Sequence, residues 1–267
     1  MTAPRWTTGT VASGGEDIYY EVVGDGDATV LLGHGAGGSH AAWFQQLPAL
    51  TDAGYRVVTW DTRGFGNSTF RSGTHGGDAA VADMTAVLDA VGSARAHVVG
   101  QSMGGWWASA FTLAHPKRVQ SLTLANTIGG LWTDALFAHF AAIQPALANA
   151  EPHIGAHPAL SPRLLERDPA RAFLYEQLNT FHRPPMREIA EALGGMTVAP
   201  ADVDAAGVPV LVITGTDDAL FPAPLVRESA QRLANVTIVE IADAGHSPYF
   251  ERPDEWNAAW LDFVTVT

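Results

Sequence analysis

Short runs of valine, isoleucine and leucine alternate along the chain with longer stretches in which apolar residues recur at helical spacing. The runs are ATVLLGHG, YRVVTW, RAHVVGQS, VQSLTLAN, VPVLVITG and VTIVEIA, each bounded by turn residues. Strands this uniformly apolar meet no water on either face, which is the pattern of a largely parallel sheet covered on both sides. Between them SHAAWFQQLPALTDAG, DAAVADMTAVLDAVG, MGGWWASAFTLAHP and APLVRESAQRLAN predict helices. Serine, aspartate or proline stands near several of their starts and glycine or asparagine near several ends. The alternation predicts an α/β fold with helices on both faces. At the N-terminus, TTGTVAS and DIYYEVVGDG read as an antiparallel hairpin. From about Ile128 to Pro200 strand signals stop, and LWTDALFAHFAAIQPAL and SPRLLERDPARAFLYEQL predict helices separated by prolines. This is a helical cap inserted between two strands: a core formed by residues 1–127 and 201–267, interrupted by a cap over 128–200.

Composition narrows the class of function. A chain of 267 residues, 47% hydrophobic, can bury a sizeable core as one compact body. Its formal net charge of -13 works against binding nucleic acid or anionic lipid, and Lys117 is the only lysine. The stretch MTAPRWTTGT has no apolar core of signal-peptide length, and no segment reaches the roughly 20 apolar residues of a membrane span. The absence of cysteine excludes disulfides, thiolate zinc sites and a cysteine nucleophile. The expectation is a cytoplasmic protein, monomer or homodimer, whose partner is a small-molecule substrate.

The candidate chemistry begins at GQSMGGWW, Gly100 to Trp107, where a predicted strand turns sharply into a predicted helix. Glycines flanking the turn let Ser102 adopt a strained conformation at the strand's carboxyl end, with the free N–H groups of the following helix beneath it. A serine hydroxyl needs a base, and that base needs an orienting acid. His246, in IADAGHSPYFERPDEW, follows the last predicted strand, and Asp217 and Asp218 follow the strand in LVITGTDDALFP. All three positions belong on loops at one edge of the sheet, in the chain order serine, aspartate, histidine. LLGHGAGGSHAAW places a glycine-rich loop where a second oxyanion donor is needed, so the N–H of Ala36 pairs with that of Met103. His34 and the polar residues of DTRGFGNS read as loop organisers. GHGAGGS lacks the lysine and hydroxyl pair of a nucleotide-triphosphate loop and the spacing of a dinucleotide fingerprint.

HGAGGS, DTRGFGNS, GQSMGG, GTDDALFP and AGHSPYFERP, in this order and spanning almost the whole chain, resemble the α/β-hydrolase superfamily. The resemblance implies an eight-stranded, mostly parallel sheet with a cap after strand six, and a Ser-Asp-His triad. In the similar motif the acid lies three residues after the glycine and four before the proline, which selects Asp218 over Asp217. Some members carry the acid after strand six; Asn126 and Thr127 stand there and neither can serve. The likeness is strongest to small cap-bearing hydrolases of esters, lactones or vinylogous carbon-carbon bonds, which need neither metal nor organic cofactor.

Trp106, Trp107, Leu131, Trp132, Phe137 and Phe140 are candidates to wall an apolar acyl pocket, with Gly35 and Phe221 beside the reacting centre. Arg163, Arg167 and Arg171 recur at helical spacing and read as a solvated face paired with Glu166 or Asp168. The similar carbon-carbon hydrolases usually carry asparagine before the nucleophile and tryptophan after the histidine, where this chain has Gln101 and Ser247. Ester or lactone cleavage of a small, largely apolar substrate is therefore the expected activity. Hydrolysis of a dienoic or β-diketone-type carbon-carbon bond, cofactor-free oxygenation and slow-turnover ligand reception are the alternatives.

Overall fold

Every apolar run predicted as a strand is one. The strands are β1 (Trp6–Ser13), β2 (Glu16–Val23), β3 (Thr29–Gly33), β4 (Arg56–Trp60), β5 (Ala96–Gln101), β6 (Val119–Ala125), β7 (Val210–Gly215) and β8 (Val236–Ile241). In this computed structural model, which describes residues 5–148, 156–180 and 186–266, they form one sheet in the order β1-β2-β4-β3-β5-β6-β7-β8. β2 runs antiparallel to β1 and β4, and all other pairs are parallel.

Side chains along the central strands alternate between two cores, as the two-residue period of a strand requires. Leu31, Val58, Val98, Leu122 and Val212 join one cluster, whereas Val30, Leu32, Val57, Val99 and Ile213 join the other. The first is covered by α2 (Gly77–Ala90), α3 (Met103–Ala114), α8 (Pro200–Ala206) and α9 (Ala223–Ala230). The second is covered by α1 (Gln46–Asp52) and α11 (Pro253–Thr265), whose Trp256 and Trp260 are fully buried.

Two predicted helices differ in extent. The helix expected over SHAAWFQQLPALTDAG is split into a 3-10 turn at His40–Trp43 and α1. Pro48 has no N–H to give the carbonyl of Phe44, so an unbroken helix through that point is disfavoured. α9 stops at Ala230 rather than running to Asn235, because the chain must turn into β8 at Val236; the Ala234 N–H is taken by Asp204 at 2.9 Å. α11 is preceded by a separate turn, α10 (Pro248–Glu251), and Arg252 alone divides the two, with Pro253 opening α11.

Between β6 and β7 the described chain is helical: α4 (Asp134–Ala148), α5 (Pro162–Arg167), α6 (Pro169–Leu178) and α7 (Met186–Gly194) precede α8. Of the segment expected to form a cap, 149–155 and 181–185 lie outside the described residues, as do positions 1–4 of the N-terminal stretch. Among the described residues no helix is long and apolar enough to cross a membrane, and no cluster of histidine, aspartate and glutamate is arranged to hold a metal.

Candidate active site

Register brings the ends of the central strands to one edge. Gly33 pairs with Gly100, Gln101 with Ala125 and Gly215 with Ile241, so the loops leaving β3, β5, β6, β7 and β8 emerge side by side. Ser102 sits in the turn between β5 and α3 at φ 48 and ψ -119, a conformation that L-residues adopt only under constraint. Its N–H is held by the carbonyl of Ala125 at 3.0 Å. The flanking glycines are explained by close backbone approach. A Cβ on Gly100 would overlap the carbonyl of Gly104, and one on Gly104 would meet the carbonyl oxygens of Gly33 at 2.6 Å and His34 at 2.8 Å. α3 is thereby pressed against the end of β3, with Met103 as its first residue and Ser102 only half-buried.

Asp218 is buried and fully engaged. Its Oδ1 accepts the N–H groups of Leu220 and Phe221, both at 2.9 Å, and its Oδ2 accepts His246 Nδ1 at 2.8 Å and Asn126 Nδ2 at 3.0 Å. That arrangement leaves His246 Nε2 free to accept a proton. Nε2 is buried and has no hydrogen-bond partner, so the Ser102 hydroxyl is not bonded to it here. Nucleophile–base bonds are often long in free enzymes and tighten with substrate. Asp217, the neighbouring carboxylate, turns away: it accepts Ser161 Oγ at 2.8 Å and faces Arg163 Nε at 3.4 Å.

The loop after β3 is braced by His34. Its Nδ1–H donates to the carbonyl of Gly35 at 2.8 Å, while its Nε2 accepts the N–H of Thr62 at 3.0 Å. Both ring nitrogens are thus committed, and burial holds the imidazole neutral by lowering its pKa. Asp61 organises the next loop, accepting the N–H of His40 at 2.6 Å and that of Asn67 at 2.8 Å. Ala36 is half-buried between these braces, and Gly35 lies against Ser102.

An aromatic wall leads to the imidazole. The Trp106 ring centroid lies 6.0 Å from both Trp132 and Phe221, Phe140 stacks on Phe221 at 5.7 Å, and Phe221 lies 5.6 Å from His246. Trp107 and Leu131 are buried in the same core cluster as Trp106 and Phe221. Phe137 is 60% exposed and meets Trp132 edge-on. The arginines are not gathered at the site. Arg163 pairs with Asp243 and Asp217, and Arg171 with Asp168.

Three residues near the centre carry hydrogen bonds that the sequence did not announce. Asn126, at φ 49 after β6, donates to both Asp218 and the carbonyl of Gly245, the latter at 3.1 Å. Gln101 Nε2 donates to the carbonyl of His246 at 3.1 Å. Glu251, buried, accepts the N–H of Gly245 at 2.8 Å and that of Ser161 at 3.0 Å, tying the histidine loop to the start of α5. Burial raises its pKa to about 7 against the lowering effect of those N–H donors. Gln101 and Glu251 lie inside GQSMGG and AGHSPYFERP and Asn126 follows β6, but no spacing in the sequence announces which groups they bond.

A model of the alpha/beta hydrolase fold family matches residues 28–253. A protein of Caulobacter segnis provisionally named carbamate hydrolase RutD is 32% identical over 271 residues, covering 97% of this chain and 98% of its own. A Mycobacterium tuberculosis protein provisionally named non-heme bromoperoxidase BpoC is 31% identical, covering 92% of this chain and 97% of its own. The crystal structure of the enol-lactonase from Burkholderia xenovorans LB400 superposes with a TM-score of 0.74 at 25% identity, covering 96% of this chain and 100% of that one.

Proposed function

The chain belongs to the alpha/beta hydrolase fold family, and from that premise we propose that it is a serine hydrolase cleaving a carboxylic ester or lactone of a small, largely apolar substrate. The observation that carries the reading is the bond from His246 Nδ1 to Asp218 Oδ2 at 2.8 Å, together with the strained turn that lifts Ser102 at the head of α3. His246 Nε2 takes the Ser102 proton as Oγ attacks the carbonyl carbon, and Asp218 stabilises the imidazolium. The N–H groups of Ala36 and Met103 hold the oxyanion. Collapse breaks the carbon–oxygen bond to the leaving group, which receives the proton from His246. Water, deprotonated by the same imidazole, then attacks the acyl-enzyme and releases the acid and Ser102.

The acyl group lies against Gly35, Trp106, Trp132, Phe140 and Phe221, with Leu131 supporting the wall from the core. Residues 128–200 act as the cap over this pocket, tied to the core through Ser161 and Glu251. A carbamate is the second reading, supported by the 32% identity to the protein named RutD, because the same acyl transfer releases an amine or carbamic acid. Gln101 and Ser247, where asparagine and tryptophan accompany carbon-carbon cleavage, favour the ester and lactone reading over that third chemistry.

Fluorophosphonate labelling followed by peptide mapping tests the proposal without the natural substrate: a label on Ser102, lost in His246→Ala, is expected. An unlabelled Ser102, or hydrolysis of p-nitrophenyl esters unchanged in Ser102→Ala, would overturn it. A panel of aryl esters, lactones, carbamates and dienoic acids then ranks the substrate classes by kcat/KM.

A further inference from the structure

Ser102 and His246 are carried by strands that are not neighbours, since β6 and β7 lie between β5 and β8. Backbone pairing alone transmits every small change in twist across those strands into the gap between hydroxyl and imidazole. One buried side chain spans it directly. Gln101 Nε2 donates to the carbonyl of His246 at 3.1 Å. Its amide oxygen rests against Gly35 so closely that a Cβ on that glycine would overlap it, and the same Cβ would stand 3.0 Å from Ser102 Cβ. Gly35 belongs to the loop that carries Ala36 and is braced by His34.

We propose that Gln101 is a positioning residue: its amide fixes the mutual spacing of the Ser102 turn, the Ala36 loop and the His246 loop, and Gly35 is glycine to receive it. The inference rests on the serine-hydrolase reading above. A glutamine has the reach for this, whereas a shorter side chain at the end of β5 would leave either the His246 carbonyl or the Gly35 contact unmet. The amide can donate to the histidine loop without adding a charge beside the imidazole. A residue that only filled space would affect stability and leave the chemistry of Ser102 intact.

The test compares second-order rates of fluorophosphonate labelling at Ser102, and kcat and KM for p-nitrophenyl acetate, in Gln101→Ala, Gln101→Glu and Gly35→Ala. Misplacing reacting groups by about an ångström costs on the order of 100-fold, so Gln101→Ala is expected to label about 10- to 100-fold more slowly, with kcat falling in step and KM little changed. Gln101→Glu keeps the length but puts a carboxylate near the imidazolium, so the acid limb of its kcat/KM profile should move to higher pH. Gly35→Ala, which displaces the amide by overlap, should reproduce the slow labelling even if Gln101→Ala folds poorly. Because the added Cβ also meets Ser102, Gly35→Ala is read against the double variant: if its effect passes through the displaced amide the double variant is little slower than Gln101→Ala alone, whereas fully multiplying losses would place the effect at Ser102 and overturn the proposal. Native labelling rates and an unmoved acid limb, with only the melting temperature lowered, would reduce Gln101 to a space filler and overturn the proposal. Absence of any label in the native protein would instead remove the serine-hydrolase reading, and this inference with it.

Discussion

Replacing Glu251 with glutamine probes the internal tie between the histidine loop and the start of α5. The carboxylate is buried, accepts N–H groups from Gly245 and Ser161, and interacts electrostatically with the Ser247 N–H, Arg167, Tyr175 and Tyr249. Burial outweighs those donors and lifts its pKa from 4.5 to about 7. The native state therefore binds this proton more tightly than the unfolded chain. Its stabilising contribution is complete below about pH 4.5 and is lost progressively as pH rises toward 7. At 1.36 kcal/mol per unit the full effect is about 3 kcal/mol, most of it falling between about pH 5 and pH 8. A glutamine cannot ionise, so this dependence vanishes in Glu251→Gln while that of every other group is retained. Urea or thermal unfolding of both proteins across that range isolates the effect as a difference. The variant should gain on the native protein by about 2 to 3 kcal/mol as pH rises, roughly 5 °C in melting temperature for a chain of this size. A difference independent of pH would show that the carboxylate does not titrate there. Native protein gaining on the variant at high pH would mean that the N–H donors outweigh burial.

His40 Nδ1 lies 2.9 Å from Asp61 and its Nε2 3.3 Å from Glu21; burial alone would lower its pKa, but these carboxylates overcome that and raise it. Its contribution is thus present below the ordinary imidazole pKa and lost as pH rises through the elevated one, and His40→Gln should flatten that part of the pH–stability curve. Asp218→Asn is expected to cut kcat about 10³- to 10⁴-fold. Asp217→Asn should stay within about threefold in the same ester assay, since Asp217 bonds Ser161 and not His246. Asn126→Ala removes a donor from the Asp218 carboxylate and should lower stability by about 2 kcal/mol, read by urea unfolding, together with a drop in kcat. Gly104→Ala forces a Cβ onto the carbonyl oxygens of Gly33 and His34, and should destabilise the protein by about 1 to 3 kcal/mol and slow Ser102 labelling.

Much of the fold was legible because its signals are local. The eight strands follow from short β-branched runs and their bounding turns, and the two covered faces follow from their uniform apolarity, as at Val30 to Leu32. Ends of helices were less legible where a distant requirement intervened. α9 reads as longer in the sequence because nothing in QRLAN announces that β8 must start at Val236.

The sequence by itself determined the α/β alternation, the run of helices between the sixth and seventh strands, and the candidate serine, acid and histidine, since each is written in a turn, a spacing or a strand end. Asp218 was separated from Asp217 there only through motif resemblance. Tertiary structure decided what the two carboxylates do: one backs His246, while the other faces Ser161 and Arg163. It alone decided the roles of Asn126, Gln101 and Glu251, and turned Phe137 outward while drawing Trp132 and Phe140 into the aromatic wall. The physical reason is range. A backbone pattern is set by neighbours within a few residues, but a hydrogen bond from residue 101 to residue 246 exists only once sheet order and register have brought their strand ends to the same edge.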